Sequence, residues 1–502
     1  MRIRGHVNPV HKDSVEWWAF MSEYGLLSRS SITKQVMESA VQRAMREGER
    51  VTLRKMAHYD EKAQLSYIYL GGSRVALVTP DEIEEVPNGT DGVLFVEPSR
   101  QEFGKDILKK VPEWQYGLRC DDSPLSNLFR GNYARDNNPL GAGGCRQMVV
   151  SSLLSMMFPN LVQRRPHLIF LGEQGSGKTY IPERAGYLLY GAKWKAMGVA
   201  DNVCDVETQI LGSFFVVFDN LDDTSLKPQI LDLFCRFATG GNVARRSLYT
   251  TASLYEKDLD GCLWATSRTN PLNRPDVASR QILIPMGRPL KTQPSAGETA
   301  KQVEDLRNRD MHMAEVIGRV QKMLRSLAKM KDRQYTTDFR VRDFSVFCLK
   351  IAEDEGWSTE MEQYLNACVG LQADTAKEGT PLLTLLMLLM SKRAKEIQEG
   401  EVRLNAMALR KELDILAERM RMTLVYKTPE SLGHAIKREL TMYEKAGVRR
   451  VRNPGTHNFE YILGPDKEML HRAILEWQGA AGSDPWGIDD MPNTTAPTPT
   501  VN

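Results

Sequence analysis

The sequence predicts an α/β protein built on a parallel sheet, with a small α+β domain before it and helical domains after it. Three observations carry this. A glycine-rich signature, Gly172-Glu173-Gln174-Gly175-Ser176-Gly177-Lys178-Thr179, lies between an apolar run, Leu168 to Leu171, and a helical pattern. From about 140 to 290, short apolar runs alternate with helical stretches, as strands and crossover helices do in a parallel sheet. Outside that span the periodicity changes, to short β-like runs before 130 and to a helix–helix–hairpin pattern after 400.

The composition sets the class. Apolar residues make up 42% and charged residues 26% of 502, ordinary for a globular chain of roughly three domains. A net charge of +2 identifies no partner, so charge has to be read locally. The seven cysteines show no C-x-x-C pair and no accompanying His cluster, which argues for reduced thiols and against a disulfide framework or a zinc site. Met1-Arg-Ile-Arg-Gly lacks the apolar core of a signal peptide, and the longest apolar run, Pro381 to Met390, is too short to span a bilayer. A cytoplasmic protein without a membrane partner is expected.

Residues 1–130 are expected to form the small α+β domain. Val15–Tyr24 and Thr33–Met45 have helical spacing. Leu65–Leu70, Arg74–Thr79 and Gly92–Val96 read as strands, with Gly71-Gly72 as a hairpin turn. Glu84-Glu85 reads as a solvated loop, and no catalytic constellation stands out. The turn-rich stretch from Asp121 to Gly144 is the expected boundary. A helix, Gln147 to Phe158, then leads into the glycine-rich segment.

Strand, glycine-rich turn and helix N-terminus together make a phosphate-binding loop, because exposed backbone N–H groups and the helix dipole favour an anion. Residues 172–179 are therefore expected to bind ATP, with Lys178 on the β- and γ-phosphates and the Thr179 hydroxyl on Mg²⁺. A second apolar run, Ser213-Phe-Phe-Val-Val-Phe, ends in Asp219-Asn220, which is how a buried strand presents a carboxylate to Mg²⁺. Asn220 stands where many such ATPases carry a glutamate, and an amide cannot act as a base; Asp222 or Asp223 could substitute. A third run, Gly261 to Ala265, ends in Thr266-Ser267-Arg268, and Arg280 directly precedes a fourth, Gln281 to Pro285.

Residues 291–400 read as a helical lid. From 401 to 464, the helices Leu404–Arg419 and Ser431–Gly447 precede a hairpin of Val448–Arg452 and Asn458–Leu463, a pattern that resembles a winged helix. This stretch holds 12 Lys and Arg against 8 Asp and Glu, with Lys437 on the second helix and Arg449, Arg450 and Arg452 on the wing. Residues 480–502 contain Pro, Thr and three Asp but no Lys or Arg, and read as a disordered acidic tail.

The order of motifs from 140 to 290 resembles the AAA+ ATPases. It is more closely similar to the superfamily 3 helicases, typified by those of papillomaviruses, and to the primase-helicase ATPases of phages and other mobile elements. The resemblance implies a P-loop AAA+ core in which Lys178, Thr179 and Asp219 take the phosphate and Mg²⁺ roles. Arg268 falls at the polar sensor position, where the helicases usually have Asn, and Arg280 at the arginine supplied to a neighbouring subunit. It also implies a DNA-gripping hairpin with its tip near Thr250 to Tyr255, flanked here by Arg245, Arg246 and Lys257. The expected function is an ATP-dependent DNA helicase, a hexamer acting on single-stranded and duplex or origin DNA with other replication proteins. The alternatives are an ATP-switched assembly protein (a helicase loader or an anti-phage defence ATPase) and a DNA-binding regulator with a slow ATPase.

Overall fold

The computed structural model describes residues 53–96, 101–113, 116–136, 138–221, 226–246, 254–287, 308–378, 381–420, 428–438, 440–445, 447–455 and 459–464, with Tyr426 and short pieces before 47. The expected helix Val15–Tyr24, residues 250–253 of the expected hairpin tip, Asp222, Asp223 and the acidic tail lie outside these residues. Of the expected helix Thr33–Met45, Gln35, Val36, Ser39, Gln42 and Arg43 are described and are helical. The chain divides into two compact units, Met1–Ala376 and Lys377–Asn502.

In the first unit, β1 (Ala57–Asp60), β2 (Leu65–Gly71), β3 (Arg74–Val78) and β4 (Ile83–Pro87) form an antiparallel meander in that order. The β2–β3 turn falls at Gly71-Gly72, whose φ angles of 97° and 61° suit glycine. Glu84 and Glu85 are not in a loop. They lie on the exposed edge strand β4, where Glu85 pairs with Arg74 at 2.8 Å.

A four-stranded parallel sheet follows, built from β5 (His167–Leu171), β6 (Phe215–Phe218), β9 (Cys262–Ser267) and β10 (Gln281–Pro285) in the order β6-β9-β5-β10. Between β6 and β9, an antiparallel hairpin pairs β7 (Asn242–Arg246) with β8 (Leu254–Asp258). Helices α1 (Gly141–Ser155), α2 (Tyr180–Tyr190), α3 (Val203–Gly212) and α4 (Pro228–Ala238) surround the sheet. The middles of its strands are apolar because both faces are covered, with polar residues such as His167, Gln281 and Thr266 at the strand ends. Leu168 and Phe170 join one core, while Ile169 joins Val216, Leu263 and Phe234 in another.

The boundary expected between 121 and 144 is crossed by a shared core. Met56 and Ile68 of the meander pack in one cluster with Met148 and Leu153 of α1 and with Met313 and Ile317 of α5 (Arg309–Lys329). Buried cations anchor the join. Arg309 donates to the carbonyls of Gln101 (3.0 Å) and Leu188 (3.0 Å). Arg319, fully buried, pairs with Glu315 (2.8 Å) and Asp121 (3.1 Å). The turn formers around Asp121 therefore serve as partners for α5, and Ser123 caps a short helix, Pro124–Leu128.

The expected lid is also divided. Helices α5, α6 (Arg342–Asp354) and nearly all of α7 (Ser358–Glu378) belong to the first unit. The second begins with α8 (Pro381–Lys392) and α9 (Ala394–Glu399), and continues with β11 (Val402–Asn405), α10 (Ala406–Arg419), α11 (Pro429–Arg438), α12 (Leu440–Lys445), β12 (Val448–Arg452) and β13 (Phe459–Leu463). Its antiparallel sheet has the order β11-β13-β12. Leu385, Leu386 and Leu389 of α8 form its core with Leu409, Leu413 and Leu432, so the long apolar run is the buried face of this unit. No helix among the described residues is long and apolar enough to cross a membrane.

Candidate functional site

The parallel register brings three chain segments to one edge of the sheet. Ser267 pairs with Leu171, and Phe218 with Ala265, so Gly172, Asp219 and Arg268 all leave at the C-terminal ends of adjacent strands. Ligands of open parallel sheets bind at this edge.

Sterics shape the loop after β5. An ideal Cβ at Gly172 would lie 2.5 Å from Ser176 Oγ and 2.9 Å from Met286, so only glycine fits between strand and loop. Gly175 and Gly177 have φ of 80° and 82°, the left-handed conformation glycine favours. The turn is closed by Ser176 N–H to Glu173 O (3.2 Å), and Tyr180 N–H donates to Gly177 O (3.1 Å) where α2 begins. Glu173, Gln174 and Gly175 are exposed, whereas Ser176 is buried and its hydroxyl has no hydrogen-bond partner. Lys178 is half-buried, and its ammonium makes no ion pair with a described residue.

Below the loop, the Thr179 hydroxyl donates to Asp219 Oδ1 at 2.9 Å. The same oxygen receives the Thr266 hydroxyl at 2.5 Å, and Thr266 Oγ1 in turn accepts the Asn220 N–H at 3.0 Å. Thr266 is wholly buried at the end of β9. Sequence reasoning marked the polar end of that strand without giving Thr266 a role; the signal was a hydroxyl ending an apolar run. Hydroxyl and carboxylate oxygens in this arrangement are the hard donors that Mg²⁺ takes. Asn220 is exposed and sits at φ 53°, a left-handed conformation that Asn tolerates better than other non-glycine residues. Four residues after Thr179, on the same face of α2, Glu183 has its carboxyl pKa raised by burial and then by the Asp219 charge.

The arginines separate. Arg268 is exposed just beyond β9, beside the loop, and forms no ion pair with a described residue. Arg280 precedes β10, whose first residue pairs with His167 at the start of β5. It therefore lies at the N-terminal edge, roughly 16 Å from the loop by the rise of a five-residue strand. Its guanidinium donates to Asp276 O and to Cys235 Sγ (3.6 Å), and burial lowers its pKa. Arg274 lies in the same cluster, paired with Asp232 and Asp276 at 2.6 Å each.

The remaining basic residues fall in two places. Arg245 and Arg246 pair in register with Tyr255 and Leu254 at the distal end of the β7–β8 hairpin, and Lys257 pairs with Val243 nearer its base. In the second unit, Lys437 is exposed on α11 beside His434. Arg449 pairs with Glu401, which also accepts Arg403 at 3.0 Å. Arg450 stacks on Phe459 with its guanidinium carbon 3.4 Å from the ring centroid. Arg452 lies opposite Phe459 in the strand register. Among the described residues, no group of three or more His, Cys, Asp or Glu is placed to hold a metal, and all seven cysteines are free.

No family model and no curated protein matches this chain. Among solved structures it is similar to the A form apo structure of the NrS-1 C-terminal region, with 11% identity over 82% of this chain and 96% of that one, at a TM-score of 0.35. It is also similar to Drosophila ORC bound to DNA (12%, 73% and 97%, TM-score 0.16). Cdc6p from Pyrobaculum aerophilum gives 14%, 70%, 98% and a TM-score of 0.17. Similarity this loose carries no functional weight, and the chemistry rests on the geometry above.

Proposed function

We propose that this chain is an ATP-driven DNA helicase with an AAA+ core of the superfamily 3 type, acting in replication of a phage, plasmid or integrated element. The observation that carries the reading is the division of charge between the two ends of one sheet. The phosphate loop, Thr179, Asp219 and Arg268 share the C-terminal edge, and Arg280 stands at the other. An ATP at the loop lies a strand's length from its own chain's Arg280. A neighbouring copy is the natural source of that arginine, so the working form is a ring, taken as a hexamer.

In this reading Lys178 holds the β- and γ-phosphates, and Thr179 and Asp219 hold Mg²⁺, which supplies charge neutralisation between phosphates. Thr266 fixes the Asp219 carboxylate, and Arg268 meets the γ-phosphate. A guanidinium from the neighbour stabilises charge developing on the transferred group, an effect worth ~10³–10⁵ in rate. The β7–β8 hairpin, with Arg245, Arg246 and Lys257, is the proposed single-strand grip. The order β11-β13-β12 around α10 and α11 supports a winged helix, with Lys437 on the groove helix and Arg449, Arg450 and Arg452 on the wing.

Lys178→Ala and Arg280→Ala are each expected to abolish DNA-stimulated ATP hydrolysis. Mixing the two inactive proteins should restore part of it, because some interfaces then join an intact loop to an intact Arg280. No recovery at any mixing ratio would falsify the shared site. Asn220 supports a second reading, in which ATP drives assembly without unwinding, since no carboxylate stands directly after Asp219. Strand separation on 3′- and 5′-tailed forks decides between the two.

A further inference from the structure

Around Arg280, one cluster at the N-terminal edge of the parallel sheet holds the guanidiniums of Arg274, Arg280 and Arg340 and the carboxylates of Asp232 and Asp276. Both carboxylates turn to Arg274, each at 2.6 Å. Among the described residues Arg280 is left with uncharged hydrogen-bond partners, the Asp276 carbonyl and Cys235 Sγ at 3.6 Å. Its Nε is buried without a hydrogen-bond partner. A guanidinium in such surroundings keeps its charge, because arginine does not deprotonate in proteins.

Arg340 comes from the segment between α5 and α6, and nothing in its sequence spacing marks it. The residues on either side of it, Phe339 and Val341, are buried in the core, so its backbone is fixed while its side chain is exposed. Its Nη1 donates to Ser279 Oγ at 3.1 Å, which sets it beside the residue directly before Arg280. It forms no ion pair with a described residue. Burial and then the Arg340 charge lower the Arg280 pKa, and the Asp276 charge, already paired with Arg274, offsets part of this.

A lone exposed arginine is ordinarily a solvated surface group. Here it is tethered next to a second, half-buried guanidinium with which no carboxylate pairs. Like-charge repulsion disfavours that arrangement until an anion arrives. Two planar forks converging on one oxyanion suit a phosphate. We infer that Arg340 and Arg280 together bind the γ-phosphate of an ATP held by the phosphate loop of a neighbouring copy. The inference rests on the shared site proposed above. It adds a second contact, from a segment outside the nucleotide motifs, and makes this edge a reader of the terminal phosphate, so that a neighbour distinguishes ATP from ADP.

The test reads equilibrium binding of fluorescently labelled AMP-PNP and ADP to the full-length protein with Mg²⁺. Arg340→Ala should weaken AMP-PNP binding about tenfold and leave ADP within about twofold, because the lost charge-assisted bond is made only to the γ-phosphate. Unchanged ADP binding also shows that the fold survives. Arg340→Lys should recover part of the loss. An excess of Lys178→Ala protein, with its own loop disabled and its arginines intact, should restore AMP-PNP affinity to the Arg340→Ala copies. Ser279→Ala should stay within about twofold for both nucleotides, since it removes one neutral hydrogen bond. A Ser279→Ala loss equal to that of Arg340→Ala would make Arg340 a support for the chain before Arg280 and overturn the inference. So would unchanged AMP-PNP binding in Arg340→Ala, a loss that Lys178→Ala protein does not restore, or a loss confined to single-stranded DNA affinity. Arg280→Ala is measured alongside. Restoration there with none for Arg340→Ala removes this inference alone, whereas restoration for neither removes the shared site as well.

Discussion

Asp219 Oδ1 takes hydroxyl hydrogen bonds from Thr179 and Thr266. A hydrogen bond to a charged group contributes about 1.5–3 kcal/mol. Thr266→Val should therefore lower kcat for ATP by roughly ten- to a hundredfold, with nucleotide affinity nearly unchanged, as steady-state hydrolysis and equilibrium titration would show. Asn220 makes a different point, because its φ of 53° is satisfied equally by glycine. Asn220→Gly is expected to keep kcat within threefold, and a larger loss would show its amide acting on the attacking water. His167, fully buried against Phe234 O at 2.9 Å, has its pKa pushed down to about 4 by burial. The unfolded chain then binds the extra proton, so stability is complete above about pH 6.5 and falls as the pH drops towards 4, by on the order of 3 kcal/mol. Urea melts at pH 7 and pH 4.5 should show a smaller difference in His167→Gln. Spacing alone pointed to the proposed phosphate loop and to Asp219, because the chemistry expected of them depends on local order. Thr266 and Arg449 were harder, since their bonds reach 47 and 48 residues along the chain.

Elements were legible where both faces are buried. The four parallel strands are centred on apolar runs, and each lies within two residues of its expected start. Edge strand β4 was not, because Ile83-Glu-Glu-Val-Pro carries charge outward and buries little. The start of α1 was hidden by its glycines. Gly144 is required there, since a Cβ would lie 2.7 Å from the Tyr364 ring on α7. Gly144→Ala should cost about 1–3 kcal/mol through overpacking, measured as a lowered Tm of the first transition. Helix α8 was read as lid because the sequence shows an apolar face without showing what covers it. Its leucines are the core of the second unit. A fragment of residues 377–502 is accordingly expected to fold cooperatively, whereas 401–502 should give no sharp melting transition. Leu386→Ala, at a fully buried position, should destabilise that unit by about 2–5 kcal/mol.

For the whole molecule, a net charge of +2 conceals a local sorting of basic residues onto a hairpin and a C-terminal sheet. Their availability differs. Glu401 partly neutralises Arg449, and Arg450 lies on Phe459, so the expected wing is less cationic than its sequence. Arg449→Ala should therefore change duplex affinity less than Lys437→Ala does in anisotropy titrations; the reverse order would mean that the pair with Glu401 opens on DNA. The continuous core beneath residues 53–130 has a consequence for inheritance. A recombination joint near 130 would separate Met56 and Ile68 from Met313 and Ile317, and part the buried Arg309 and Arg319 from the acceptors that Gln101 and Asp121 supply. A joint near 376 cuts between two cores that are each complete. Exchange of segments between related genes should be tolerated at the second position and purged at the first, so the N-terminal meander is bound to descend together with the proposed nucleotide site.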